Sequence, residues 1–458
     1  MSEAPGKTVK TMNRRGNLLE DPIPKTLFQL AWPMMIGMLA MTMFNLADTW
    51  YVAQIGVKEL AAMTFTFPVV MILNGLTLGI GTGATAIISQ RYGAGDREEV
   101  RKLARDGLLL ALTLVVIVTS AGLLTIKPLF RALGADETLL PMVSKYIHIW
   151  YLGTMFVVVP MVGNSAIRGT GDTRTPAFIM TAAAVGNIIL DPLFIFGPGP
   201  FPRWELQGAA FATVLSRAVT MLMALYVLVI RDKMVLFTLP KPKELWSHWK
   251  RILVVGGPAS LMMVLTPITF GVLTRMVSEF GTGPVAAFGA GMRVDMFAMM
   301  VPMATASGLM VFVGQNWGAG RRDRVRKALG LSQRFLVFTG AIIFLLIAAL
   351  AHPIAAVFST KDAVLIPMRF FLRVAEIGLL GDSLSVITVQ TYNALRRPSR
   401  VLMVSVIRLL VLLVPLAWLG GHFWGIDGLF AGMGVARLLS GFVARIFLLP
   451  VMQENGDR

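Results

Sequence analysis

The chain contains no cysteine. Disulfides, thiol nucleophiles and thiolate metal sites are therefore excluded. Histidine is scarce as well: His148, His248, His352 and His422 are scattered, and none has a metal-ligand spacing. A redox or zinc enzyme is not expected, nor is any cofactor. Charge is the third shortage. Only 15% of the 458 residues are charged while 55% are hydrophobic, and mean hydropathy is +0.70. That balance does not describe a soluble protein of this length; it describes a polytopic membrane protein. A Walker A sequence is also missing. Gly79, Gly81 and Gly83 follow no strand and lie in an apolar run, where small residues allow close helix packing. The expected energy source is an ion gradient and not ATP.

The net charge of +17 would suit a nucleic-acid partner if it were gathered into one domain. Instead the basic residues sit in short connections between apolar runs, as in cytoplasmic loops, so no nucleic acid is expected. Met1 to Pro24 is polar and the first apolar run is too long for an h-region, so a cleaved signal peptide is not expected. The runs read as twelve spanning helices, at 26–54, 59–90, 98–126, 138–167, 173–197, 206–230, 251–280, 284–314, 323–350, 362–394, 399–420 and 425–450. Every even connection is basic: Arg91 to Arg105, then Arg168 and Arg174, then Arg231 to Arg251, then Arg321 to Lys327, then Arg396 to Arg400. Odd connections carry little. A multi-pass plasma (inner) membrane protein with both termini cytoplasmic follows. The organisation is a tail 1–25, a first lobe 26–230, a linker 231–250, a second lobe 251–450 and a tail 451–458. A monomer surrounded by membrane lipids is expected.

The two lobes repeat. An offset of 225 residues pairs Gly56 with Gly281, Pro33 with Pro258 and Ala61-Ala62 with Ala286-Ala287. It also pairs Gln90, Gly93-Ala94-Gly95, Arg97 and Val100-Arg101-Lys102 with Gln315, Gly318-Ala319-Gly320, Arg322 and Val325-Arg326-Lys327. With six helices in each half, the repeats share one orientation, and their pseudo-two-fold axis runs along the membrane normal. The predicted fold is thus all-α, two six-helix lobes around a central cavity. That is transporter architecture.

The repeat fails at its acids. Asp48 pairs with Leu273, and with a shorter loop Asp191-Pro192 pairs with Val414-Pro415. A carboxylate inside a spanning helix costs about 2.5–3.5 kcal/mol on insertion scales, so it normally faces a polar interior and has a role. Asp48 and Asp191 each lie six residues before the outer end of their helix, on the order of 9 Å deep. Thr213 and Tyr146 reach a similar depth, and Asn187 is one turn from Asp191 on the same face. Five polar groups from four helices therefore converge on one level of one lobe. In a low dielectric two neighbouring carboxylates do not both ionise cheaply. The pair suits a proton carrier or, with both ionised, a monovalent cation site such as one for Na+ at Asp48 and Asp191. Pro33, fifteen residues before Asp48, removes a backbone hydrogen bond and is a candidate hinge, with a fixed kink of the shared fold as the competing reading.

Several stretches carry a resemblance: Asn45-Leu46-Ala47-Asp48-Thr49, the two Gly-Ala-Gly loops, Ala166 to Thr173, and Asn187 to Pro192. In these the chain resembles the multidrug and toxic compound extrusion (MATE) family, most of all its DinF-like branch. The resemblance implies a secondary antiporter that exports drugs or organic cations in exchange for protons or sodium by alternating access. It also places Asp48, Asn187, Asp191 and Thr213 in an amino-lobe site, with Tyr146 and Asn164 nearby. Asn164 fits the depth reading less well, being close to the cytoplasmic end of its helix. The chain departs from the branch at Asp295, where relatives often have glutamate, and lacks the seventh-helix glutamate of the NorM-like branch.

Bland readings stand beside these. Asp295 sits beside Arg293, and Glu376 is one turn from Arg373, so packing ion pairs compete with transport roles there. Met292, Met296, Met299, Met300 and Met303 line the eighth span. Met296 and Met300 are candidate substrate contacts for amphipathic or cationic molecules, against a core-filling or lipid-facing use. The alternative function is a lipid-linked oligosaccharide or lipid flippase of the same superfamily. Such a protein would line its cavity with arginine, whereas most arginines here fall in loops, Arg217, Arg275, Arg408 and Arg437 excepted. An intramembrane enzyme would need a catalytic or metal-binding cluster facing the cytoplasm, and none is evident.

Overall fold

A computed structural model describes residues 17–453, apart from 133–135, 137–138 and 201–202; most of the amino-terminal tail and 454–458 lie outside the described residues. The described chain is helical throughout. The first half comprises α1 (Ile23–Ile55), α2 (Val57–Gly93), α3 (Arg97–Ala132), α4 (Leu140–Leu152), α5 (Thr154–Gly169), α6 (Arg174–Phe196) and α7 (Glu205–Leu225). The second comprises α8 (Pro242–Ser278), α9 (Thr282–Ala298), α10 (Met300–Gly318), α11 (Arg322–Ala349), α12 (Ala351–Phe358), α13 (Asp362–Val374), α14 (Leu379–Ala394), α15 (Pro398–Val406) and α16 (Val414–Gln453). Wide π-type turns extend α7 over Tyr226–Arg231 and join α15 to α16 over Ile407–Leu413.

Eight of these stretches are long and apolar enough to cross a membrane, and the bent pairs α4–α5 (44°) and α9–α10 (42°) bring the number to ten. One of the eight, Pro398–Gln453, contains a reversal at Trp424 and Gly425, the latter at φ 64°, ψ −151°. Only glycine reaches that region without strain. Beyond it the chain runs back, so that Gly420 lies against Gly428 and Gly432 against Leu416. This hairpin supplies two crossings, and α13–α14 completes the twelve. Where a single eighth span is expected, Pro302 explains the break: its ring displaces the carbonyl four residues earlier, at Ala298, where α9 ends. The fourth span breaks at Gly153, next to Thr154, whose hydroxyl bonds the Trp150 carbonyl (3.2 Å). The linker is shorter than 231–250, because α8 begins at Pro242.

The outside of the molecule is apolar. On α1, Phe28, Trp32, Ile36, Leu39, Met43, Leu46 and Trp50 form one exposed stripe at helical spacing. Thr26, Leu30, Met34, Gly37, Phe44, Asp48 and Val52 are buried on the other face. An uncovered stripe of this length suits contact with lipid, and it puts Asp48 on the protein side. The seven helices α1–α7 form one lobe and α8–α16 the other, with α2 packed on α8 and α1 on α10. At the first of these contacts a Cβ on Gly79 would lie 2.6 Å from the Gly256 carbonyl oxygen, and one on Gly83 would lie 2.3 Å from that of Ile252. Backbones meet there because side chains are absent.

Candidate functional site

Four helices of the first lobe carry the site. α1 packs along α6, and α6 turns tightly into α7, the Trp204 amide donating to the Phe194 carbonyl (2.9 Å). α4 lies against α7. This arrangement brings the outer ends of α1, α6 and α7 to one level, as the counting of residues predicts.

Asp191 is fully buried, and Asp48 is 7% exposed with its Oδ1 lacking any hydrogen-bond partner. Asn187, one turn along α6, bridges two groups when its amide is oriented so that both ends find partners. Its nitrogen donates to Asp191 Oδ2 (2.7 Å), and its oxygen accepts from Thr213 Oγ1 (3.2 Å) and the Thr213 amide (3.2 Å). The Asp48 and Asp191 carboxylates act on each other electrostatically, and both act on the buried Tyr146 hydroxyl. No basic side chain forms an ion pair with either acid among the described residues. Two carboxylates, an amide and two hydroxyls in a dry interior can hold a proton or a bare monovalent cation; they are a poor place for two free negative charges.

Asn164 stands on α5 with its buried Oδ1 unpartnered, one turn from Arg168 at the inner end of the helix. It belongs to the same lobe but to a lower level than the acids. Met296 and Met300 flank the α9–α10 bend in the other lobe. Met296 is 48% exposed and Met300 partly buried. Pro33 lies inside an unbroken α1.

The second lobe holds a cluster that sequence reasoning paired wrongly. Asp295 bonds Arg437 on α16, not its neighbour Arg293, which is exposed. Arg437 Nε also donates to Asp382 Oδ2 (2.6 Å), and Arg408 Nε lies 3.1 Å from Asp382 Oδ1. Glu376 is fully buried beside Asp295 and Arg437, and among the described residues it forms no ion pair with Arg373. Residues two apart on a helix point in different directions, so Arg293 was never a good partner for Asp295. The helix tightens into a 3₁₀ turn over Ala375–Gly378, which carries Glu376 away from Arg373. Asp382 was passed over altogether, although an acid inside an apolar run was signal enough.

Twelve crossings in two repeat-related lobes, with a buried acid pair that has no basic partner among the described residues in one of them, define a membrane transporter rather than an enzyme. The MatE family model matches residues 33–193 and 258–419, two segments that begin at the repeat-related prolines. The chain belongs to the MATE family of transporters. It is 37% identical to the FAD transporter of Shewanella oneidensis over 97% of this chain and 100% of that protein. To the multidrug export protein MepA of Staphylococcus aureus it is 25% identical, over 94% of each. The MATE transporter VcmN of Vibrio cholerae in its bent form superposes with a TM-score of 0.90 at 28% identity, over 94% of this chain and 97% of that one.

Proposed function

We propose that the protein is a secondary antiporter that expels small molecules from the cytoplasm in exchange for protons, or sodium, by alternating access. The observation that carries this reading is the Asp48–Asp191 pair: both acids are buried and act on each other, Asp191 accepts from Asn187, which in turn bonds Thr213, and neither has a basic partner among the described residues. Such a pair changes its charge or its bound cation with the gradient, and α1 carries one member of it. The basic connections support an inner-membrane orientation with cytoplasmic termini. The lobes are complete within one chain, which supports function as a monomer.

Amphipathic or cationic drugs are one substrate class, in keeping with the multidrug relatives. A second reading, export of an acidic flavin nucleotide, is favoured by the 37% identity to a protein described as an FAD transporter. A flippase reading finds little support, since Arg408 and Arg437, deep in spans of the second lobe, are held by acids. The test is transport in proteoliposomes under an imposed pH or sodium gradient, with ethidium and FAD as alternative cargoes. Gradient-driven movement of either supports the antiporter. Movement of neither, with no ion movement in return, would overturn it.

A further inference from the structure

Arg217 lies deep inside a span of the first lobe and takes no part in the carboxylate site. It lies on α7, twelve residues from Glu205 and fourteen from Arg231, near the middle of the Glu205–Arg231 crossing. Twelve residues of helix rise about 18 Å, well beyond what an arginine side chain can reach, so it cannot snorkel to either surface. The lipid face of α7 is marked by Val219, Leu222 and Tyr226, exposed by 50%, 64% and 57%. At about 100° per residue Arg217 is on the opposite side of the helix, one turn from Thr213 on the face that holds Asn187. The guanidinium thus points into the lobe.

Its neighbours there are unlike those of an arginine placed for structure. Nη2 lies 3.9 Å from Met41 Sδ, and the guanidinium stands 5.6 Å from the Phe44 ring. No carboxylate pairs with it among the described residues, although Asp48 is only one turn beyond Phe44. The other lobe supplies the control. Arg437, also on the last crossing of its lobe, is bound by both Asp382 and Asp295, and Arg408 by Asp382. In the first lobe, buried Arg105 pairs with Asp106 (2.6 Å), and Arg168, at the inner end of α5, bonds Ser165 Oγ (2.7 Å). Arg217 carries its charge at mid-depth with no acid paired to it among the described residues. Methionine and phenylalanine polarise around a cation but do not replace its hydration. Arg217 is also partly exposed.

We propose that Arg217 recognises an oxyanion of the transported molecule, with Met41 and Phe44 bordering the apolar part of the same molecule. A guanidinium offers paired N–H donors that match phosphate or carboxylate, and in a dry interior the pairing is strong. The inference rests on the transporter reading and narrows its substrate to an acidic amphiphile, a phosphorylated flat ring system being the kind that fits. It makes Arg217 a specificity residue separate from the coupling acids.

The test uses two ligands that differ by one phosphate. Purified full-length protein in lipid nanodiscs is titrated with FMN and with riboflavin, following flavin fluorescence, and with ethidium as a cation. Arg217→Gln should weaken FMN binding by roughly tenfold or more while leaving riboflavin within about twofold, and Arg217→Lys should keep part of the FMN affinity. Unchanged FMN binding in Arg217→Gln would overturn the proposal. So would an equal loss for all three ligands, or a wild type that binds ethidium and not FMN. Equilibrium binding needs no gradient, so a wild type that binds FMN through Arg217 but exchanges no ion would sink the antiporter reading and leave this assignment standing.

Discussion

Gln90 and Gln315 occupy the same place in the two repeats, and each reaches across to the other lobe. Gln90 Nε2 donates to the Ala394 carbonyl (2.5 Å), and Gln315 Nε2 donates to the Gly169 carbonyl (3.0 Å). The two acceptors are separated by the same 225 residues as the two donors. A reciprocal pair of bonds therefore ties the lobes together at the basic end of the molecule, where the two Gly-Ala-Gly turns follow. Each bond contributes on the order of 1 kcal/mol net, so the pair can bias the closed end by about tenfold or more. Replacing both glutamines by alanine should open that end. With no native cysteine, spin labels at Glu98→Cys and Asp323→Cys report the gap cleanly. A longer distance population is expected in the double variant. An unchanged distribution would show that the bonds do not hold the lobes.

Asp48→Asn and Asp191→Asn should each abolish gradient-driven efflux while expression stays near normal. The amide keeps the shape of the acid and removes its charge, so a loss of coupling without a loss of protein assigns the acid to the ion. Leu273, the fully buried repeat partner of Asp48, lies in an apolar cluster with Val277, Leu409 and Leu413. Leu273→Asp should therefore fail to rescue Asp48→Asn. Full efflux in either single variant would remove that acid from the site, and rescue would make the lobes interchangeable.

Arg437→Met and Arg217→Met make a paired stability test. The first leaves Asp295, Asp382 and Glu376 clustered with only Arg408 nearby, and should lower stability by about 3–5 kcal/mol. The second removes a charge that has no acid partner and fills its place with an apolar chain of similar length, so it should be neutral or stabilising. Thermal unfolding in detergent compares the two. Similar losses in both would mean that Arg217 is a packing residue.

How much was legible in the sequence follows from what each feature depends on. The repeat was readable because residues 33–102 match 258–327 without a gap, and the matched positions share contacts as well as identities. The meeting of Asp48, Asp191, Asn187, Thr213 and Tyr146 in one lobe was readable because depth along a spanning helix is simple counting. The ion pairs of the second lobe were not. Asp295 and Arg437 are 142 residues apart, and their meeting depends on how α9 and α16 are rotated. Residue order offered Arg293 instead. The breaks at Met299 and Gly425 lay between: Pro302 and Gly425 were both visible, but both kinks and unbroken helices accommodate such residues.

Met296→Ala and Met300→Ala separate the two uses of methionine along α9 and α10. Met296 is exposed on the second lobe, and Met300 begins the helix that packs on α1. A cavity-lining methionine adapts to each substrate, so its loss should change the ranking of cargoes. Relative efflux of ethidium, FMN and a third dye measures this. A uniform fall across cargoes would indicate lost packing or lower abundance.

The last prediction concerns the two repeat-related prolines. Pro33 and Pro258 each remove one backbone hydrogen bond from a long helix, and in a symmetric molecule they would be equivalent. Their surroundings are not. α8, which carries Pro258, is pressed against α2 through Gly79, Gly83 and Gly256. At the matching contact of α1 with α10, Ala304 stands for Gly79 and Ala31 for Gly256. The methyl groups hold the helices further apart: a Cβ on Gly308 comes no closer than 3.0 Å to α1, against 2.3 Å for its repeat partner Gly83. A pocket lined by Leu18, Asp21, Lys25, Thr26, Gln29 and Leu30, with Gly171 to Arg174 opposite, borders α1 next to Pro33. It lies beside Gln29, whose carbonyl the proline leaves free. α1 is thus the looser of the two helices, and it is the one that carries a buried acid within its span. As an anion Asp48 only accepts hydrogen bonds, and as an acid it can also donate, so the two forms favour different packings of α1. A few kcal/mol between those packings is enough to switch access if the helix bends at Pro33. Pro33→Ala should therefore slow gradient-driven efflux far more than it weakens equilibrium substrate binding, and Pro258→Ala should be milder in both. Equal effects of the two substitutions, or wild-type turnover in Pro33→Ala, would reduce both prolines to fixed kinks of the shared fold.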